Sequence, residues 1–81
     1  MVLAPNPLVS GHASVQFSIP KAGRVSVRVT DVTGRTVLAQ TAVAGRVGAL
    51  GLDLRKLSAG IYLVRLEADG FATQQKLVVQ H

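Results

Sequence analysis

Apolar and polar residues alternate along most of this chain, the period of strands that bury one face. Ala13, Val15, Phe17 and Ile19 are separated by Ser14, Gln16 and Ser18, and Pro20 ends the run. Val25, Val27 and Val29 alternate with Arg24, Ser26, Arg28 and Thr30. These two segments predict strands most clearly. Between them Pro20-Lys21-Ala22-Gly23 reads as a tight connection, with proline pre-setting φ and glycine free to take φ > 0. Asp31-Val32-Thr33-Gly34-Arg35 predicts a turn, followed by a short strand through Val37, Leu38 and Ala39. Gly45 and Gly48 bracket the start of a strand carrying Leu50, Leu52 and Leu54. Arg55 to Gly60 forms a corner from which Leu57 can plug into the core. From Ile61 to Ala68 a strand places Tyr62, Val64 and Leu66 on one face and Arg65 and Glu67 on the other. Asp69-Gly70 is a two-residue hairpin signal of type I′, in which both central positions need φ > 0. The last strand runs from Phe71 to about Val79.

Short strands at this spacing, with no window of helical periodicity and no internal repeat, point to an all-β sandwich or small barrel. The corner sharpens this. In immunoglobulin-like sandwiches a tyrosine near the start of the penultimate strand bonds back to the corner backbone, and a core residue follows two positions later. Ser58-Ala59-Gly60-Ile61-Tyr62-Leu63-Val64 has that layout, with Val64 at the core position. The expected fold is an immunoglobulin-like antiparallel β-sandwich of about seven short strands. It makes one domain over residues 1–81, with 1–7 as a linker leading into a sandwich at 8–80.

Composition changes this picture in two ways. A chain of 81 residues has room for one core and buries only about 60% of its unfolded surface. Domains this small often carry a disulfide or metal staple, yet there is no cysteine, and His12 and His81 lie at opposite ends. Stability must come from valine, leucine and alanine, and from docking onto something larger. The second change is charge: nine Lys and Arg against four Asp and Glu give +5. Such a balance attracts anionic partners or serves solubility, and the basic residues are spread along the chain. No stretch reaches the eighteen or so apolar residues of a transmembrane helix. Met1-Val2-Leu3-Ala4-Pro5 has neither the basic region nor the apolar run of a signal peptide, so an exported protein carries its signal upstream of Met1.

Catalysis needs a nucleophile or an acid–base pair with a partner close by. His12 has no obvious partner, Asp31 and Asp69 have turn roles, and Asp53 is placed to cap the following corner. No P-loop, dinucleotide fingerprint, zinc spacing or EF-hand loop occurs. The reading is therefore non-enzymatic, with no catalytic residue, cofactor or metal. Arg24, Arg28 and Arg65 suggest a basic face, but nucleic-acid modules and sugar-binding sandwiches usually add aromatic stacking residues. Phe17, Tyr62 and Phe71 are the only aromatics. Nucleic acid is set aside, and a carbohydrate-binding module is the weaker alternative.

The same residues fall in a familiar order. Pro5-Asn6-Pro7 opens the domain, followed by the Ala13–Ile19 strand, Pro20-Lys21-Ala22-Gly23 and Val25-Ser26-Val27-Arg28-Val29. Then come Asp31-Val32-Thr33-Gly34-Arg35, Leu57-Ser58-Ala59-Gly60-Ile61-Tyr62 and Lys76-Leu77-Val78-Val79. Over nearly its whole length the chain resembles the C-terminal sorting domain of type IX secretion substrates. It is also similar to the related immunoglobulin-like domain of flagellar hook-capping proteins. The resemblance implies an accessory domain on an exported bacterial multidomain protein, secreted or held at the cell surface. It implies recognition by outer-membrane export machinery, removal by a sortase-like peptidase and a cargo domain upstream in the same chain. Carried over, the sorting candidates are Gly60, Tyr62, Lys76, Leu77, Val78 and Val79. Pro5, Asn6, Pro7, Asp31, Gly34 and Leu57 match the pattern in structural roles. A terminal edge strand offers backbone for β-augmentation, with Gln74 and Lys76 on one face and Leu77 and Val79 on the other. The alternative from another class is a structural or assembly module of the hook-capping kind. A monomer is expected.

Overall fold

The computed structural model describes residues 1–4 and 11–80. The backbone there forms seven strands and no helix: β1 (Val2–Ala4), β2 (His12–Ser18), β3 (Gly23–Thr30), β4 (Thr36–Ala44), β5 (Val47–Asp53), β6 (Gly60–Ala68) and β7 (Phe71–Val79). Two antiparallel sheets result, one in the order β1-β2-β5 and the other β4-β3-β6-β7. The expected all-β sandwich is what forms. Its fourth strand pairs with the third, as the β3–β4 register from Gly23↔Ala44 to Thr30↔Thr36 shows. An antibody constant domain instead keeps its fourth strand in the sheet of its first, second and fifth.

The alternation read from sequence becomes the core. Val15, Phe17, Val25, Val27, Val29, Leu52, Val64, Leu66, Leu77 and Val79 are all buried. Their polar neighbours in the strands face outward, the period-2 consequence of the pleat. Ile19 and Leu54 lie just past the ends of their strands yet remain buried. Each is tied by a backbone bond, Ile19 N to Arg46 O at 2.7 Å and Leu54 N to Gly11 O at 2.7 Å.

Three local expectations need correction. Val2–Ala4 falls inside the stretch expected as a linker, but pairs with β2 from Val2↔Gln16 to Ala4↔Ser14. The fourth strand continues past Ala39 to Ala44. The Asp69-Gly70 hairpin does form, with Ala68 opposite Phe71, but it is not type I′. Of its two central residues only Gly70 has positive φ, at 71°, and among the described residues no non-glycine residue does. Those signs fit a type II turn, which needs φ > 0 at its second central position alone.

Candidate functional site

The turn and corner that carry the family pattern are held by short-range bonds. Asp31 Oδ1 accepts the backbone N–H groups of Thr33 (2.9 Å) and Arg35 (3.0 Å) and the Thr33 hydroxyl at 2.6 Å. The Asp31 carbonyl accepts Gly34 N–H at 3.0 Å, and Gly34 closes the turn at φ 89°, where a side chain is strained. The Thr33 hydroxyl leads the causes that hold the Asp31 carboxyl below its ordinary range; desolvation opposes it, and the bonds from Arg35 and Thr33 N–H and the Arg35 charge add to it. Asp53 caps the corner as expected, accepting Arg55 N–H at 3.2 Å and the guanidinium at 2.9 and 2.8 Å. The guanidinium is also the main reason the Asp53 carboxyl is held well below the usual carboxylate range.

The tyrosine corner forms. Tyr62 Oη donates to the Ser58 carbonyl at 2.7 Å and lies 3.3 Å from the Ser58 hydroxyl. Its ring is buried, and Val64, two residues on, is fully buried. Leu57 is half-buried against the core and donates its N–H to the Leu54 carbonyl at 3.1 Å. Pro5, Asn6 and Pro7 lie outside the described residues.

The six sorting candidates are brought together on β6 and β7, whose register runs from Gly60↔Val79 to Ala68↔Phe71. The pleat then divides them. Tyr62, Leu77 and Val79 point inward and are buried, Leu77 and Val79 at 0% and 1% exposure. Gly60 is exposed at the start of β6, Lys76 is exposed on the outer face of β7, and Val78 is half-buried beside it. Sequence reasoning did not single out the neighbours of this pair. Ile61 lies opposite Val78 and Leu63 opposite Lys76, and they are 49% and 40% exposed. The signal was present: these are outward positions of β6 filled by large apolar residues, where Arg65 and Glu67 farther along are charged. Together they make an exposed apolar patch with one ammonium at its border, the kind of surface that marks an interaction site.

Farther along the same outer face Arg28 stands directly opposite Arg65, and Arg65 bonds Glu67 at 3.0 Å. Each of the four side-chain carboxylates has a cationic neighbour: Asp31 with Arg35, Asp53 with Arg55, Glu67 with Arg65, and Asp69 with Lys21; the His12 imidazole lies 4.0 Å from Asp53. Among the described residues no three His, Cys, Asp or Glu gather as a metal site. Phe17 and Tyr62 are buried and Phe71 packs against the core, so the rings serve the interior and form no stacking platform.

No curated protein matches the chain. A family model described as the secretion system C-terminal sorting domain matches residues 2–80. That span takes in both sheets, the Asp31–Arg35 turn, the tyrosine corner and the β6–β7 hairpin, and so the chain belongs to the type IX secretion C-terminal sorting domain family.

Proposed function

We propose that this domain is a non-catalytic address at the C-terminus of an exported bacterial protein, read by outer-membrane export machinery and afterwards removed by a sortase-like peptidase. Its cargo lies upstream in the same chain, and the destination is the medium or the cell surface. The domain acts as a monomer that needs no cofactor. The observation that carries the reading is the division of the β6–β7 hairpin into an inner row that holds the fold and an outer row available to a receptor. Leu77 and Val79 anchor the last strand. Lys76 and Val78, with Ile61 and Leu63 across from them, present an apolar patch and one positive charge while the domain stays folded. Gly60 gives the start of β6 no side chain to stand in the way.

This division explains why truncation is a poor test: removing the last strand removes core residues along with the address. The informative experiment is export of a reporter fused upstream of the domain, in hosts with and without the type IX system. Lys76→Ala and Val78→Ala are made on the outer row and checked for an unchanged urea midpoint. The reporter should reach the surface only where the system is present, and the outer-row variants should lower that export. Folded fusion held in the periplasm of both hosts would sink the sorting role. Full export of both folded variants would move the address away from this face.

A further inference from the structure

Natural sheets guard their edges with short strands, charges, prolines or bulges, because an open edge pairs with other chains. Three of the four edges here are guarded. β1 is three residues long, β5 contains Gly48 and Gly51, which weaken a strand, and β7 carries Lys76. β4 is guarded only at its start, by a bulge at Val37 where the register passes from Thr30↔Thr36 to Val29↔Leu38; Leu38–Ala44 beyond it has none of these devices. Its nine residues, Thr36–Ala44, include no charge, proline or glycine. Among the described residues its only strand partner is β3. Beside it a groove of about 550 Å3 runs between β4 and the end of β5, lined by Val37, Leu38, Leu54 and Leu57, by the ion-paired Asp53 and Arg55, and by Lys56.

We infer that β4 is a second docking edge, which takes an extended segment of another protein, apolar at alternate positions and acidic at its ends. A strand laid along β4 pairs backbone to backbone, and every second side chain turns toward the groove, the geometry of β-augmentation. Charge selects the occupant. Arg46, which follows β4, and Lys56, beside the groove, are exposed cations; Arg35, which precedes β4, is exposed and shares its charge with Asp31 at 3.4 Å. If a second copy paired antiparallel about Gln40, Arg35 of each copy would come beside Arg46 of the other. Two chains of +5 would repel further. An acidic-ended segment meets neither penalty. This edge lies across the sheet from β7, so the inference stands apart from the sorting reading.

The probe is a fluorescein-labelled nonapeptide alternating leucine and threonine, with a glutamate at each end, titrated into the full chain. Anisotropy should show saturable binding, and amide exchange should slow within Thr36–Ala44. Thr41→Lys places an ammonium on the exposed side of β4. It should weaken binding roughly tenfold with no change in the urea midpoint, and lysine-ended peptide should bind more weakly than the acidic one. No saturable binding, or protection on β7 in place of β4, overturns the proposal. So does a sedimenting dimer whose β4 amides are protected without peptide, which assigns the edge to a second copy. A monomer with β4 already protected overturns it in favour of the chain's own segment.

Discussion

β4 and β7 are the outer strands of the same sheet, each nine residues long, and they are buried in very different measure. The inward residues of β7 run from half-buried Phe71 to fully buried Leu77 and Val79. Those of β4, Leu38, Gln40, Ala42 and Ala44, are nowhere fully buried. The cause is arithmetic in the layers: three strands facing four leave one strand with little above it. β7 is thus part of the core as well as part of the surface, whereas β4 is held mainly by its ladder to β3. Under the proposed function, a receptor on the outer row of β7 would meet a strand clamped from inside. A partner of β4 meets a strand whose inner face still has surface to bury.

The largest effect should separate the two strands directly. Leu77→Ala removes a side chain with no exposure and should cost about 2–5 kcal/mol. Leu38→Ala, half-buried on β4, should cost roughly 1–2 kcal/mol. Urea unfolding of the two variants measures both, and equal losses would break the comparison. Next in size is Tyr62→Phe, which keeps the ring and removes the bond to the Ser58 carbonyl. A loss of about 1–2 kcal/mol is expected, or a fall in Tm of about 4–8 °C per kcal/mol for a domain of this size. An unchanged Tm would mean that the corner is held by ring burial alone.

The smallest effect is set by pH and lies in the Asp31–Arg35 turn before β4 and the Asp53 corner after β5. Asp31 and Asp53 both have folded-state pKa values below the ordinary 3.8. The unfolded chain therefore binds more protons in acid, and stability rises with pH. The contribution is complete above about pH 4, the unfolded value, and is lost as pH falls through the folded values. The urea midpoint should stay flat from neutrality to about pH 5 and then fall. Asp31→Asn combined with Asp53→Asn should flatten that fall; an equally steep decline in the double variant would place the acid sensitivity elsewhere.

Much of the fold is legible in the sequence where one face of a strand is fully buried, because there the alternation is strict. Val25, Val27 and Val29 and the series Tyr62, Val64 and Leu66 identify both strand and inward face without a structure. The corner was legible for a different reason, since Tyr62 and Ser58 are four residues apart and meet through local backbone geometry. Legibility fails where burial is partial. Gln40 to Ala44 lie in a half-covered edge strand, so no apolar period marks them, and Val2–Ala4 is too short to show any period. The sequence places the Asp69-Gly70 turn but not its type, because in the folded hairpin only Gly70 of the two takes positive φ.

The sequence by itself determined the strand periodicity, the turn chemistry of Asp31 and Gly34, the tyrosine corner and the family. All of these rest on residues close together along the chain or on a repeat of two. The tertiary structure alone decided which strands share a sheet and that β1 exists, held by its register with Val15 and its neighbours. It also decided which edge of the four-stranded sheet is left half-covered. It placed Ile61 and Leu63 beside Val78 and Lys76, turning separate outward positions into one patch. Such facts depend on contacts between distant segments and on how many strands each layer holds, and neither is written in any local stretch of residues.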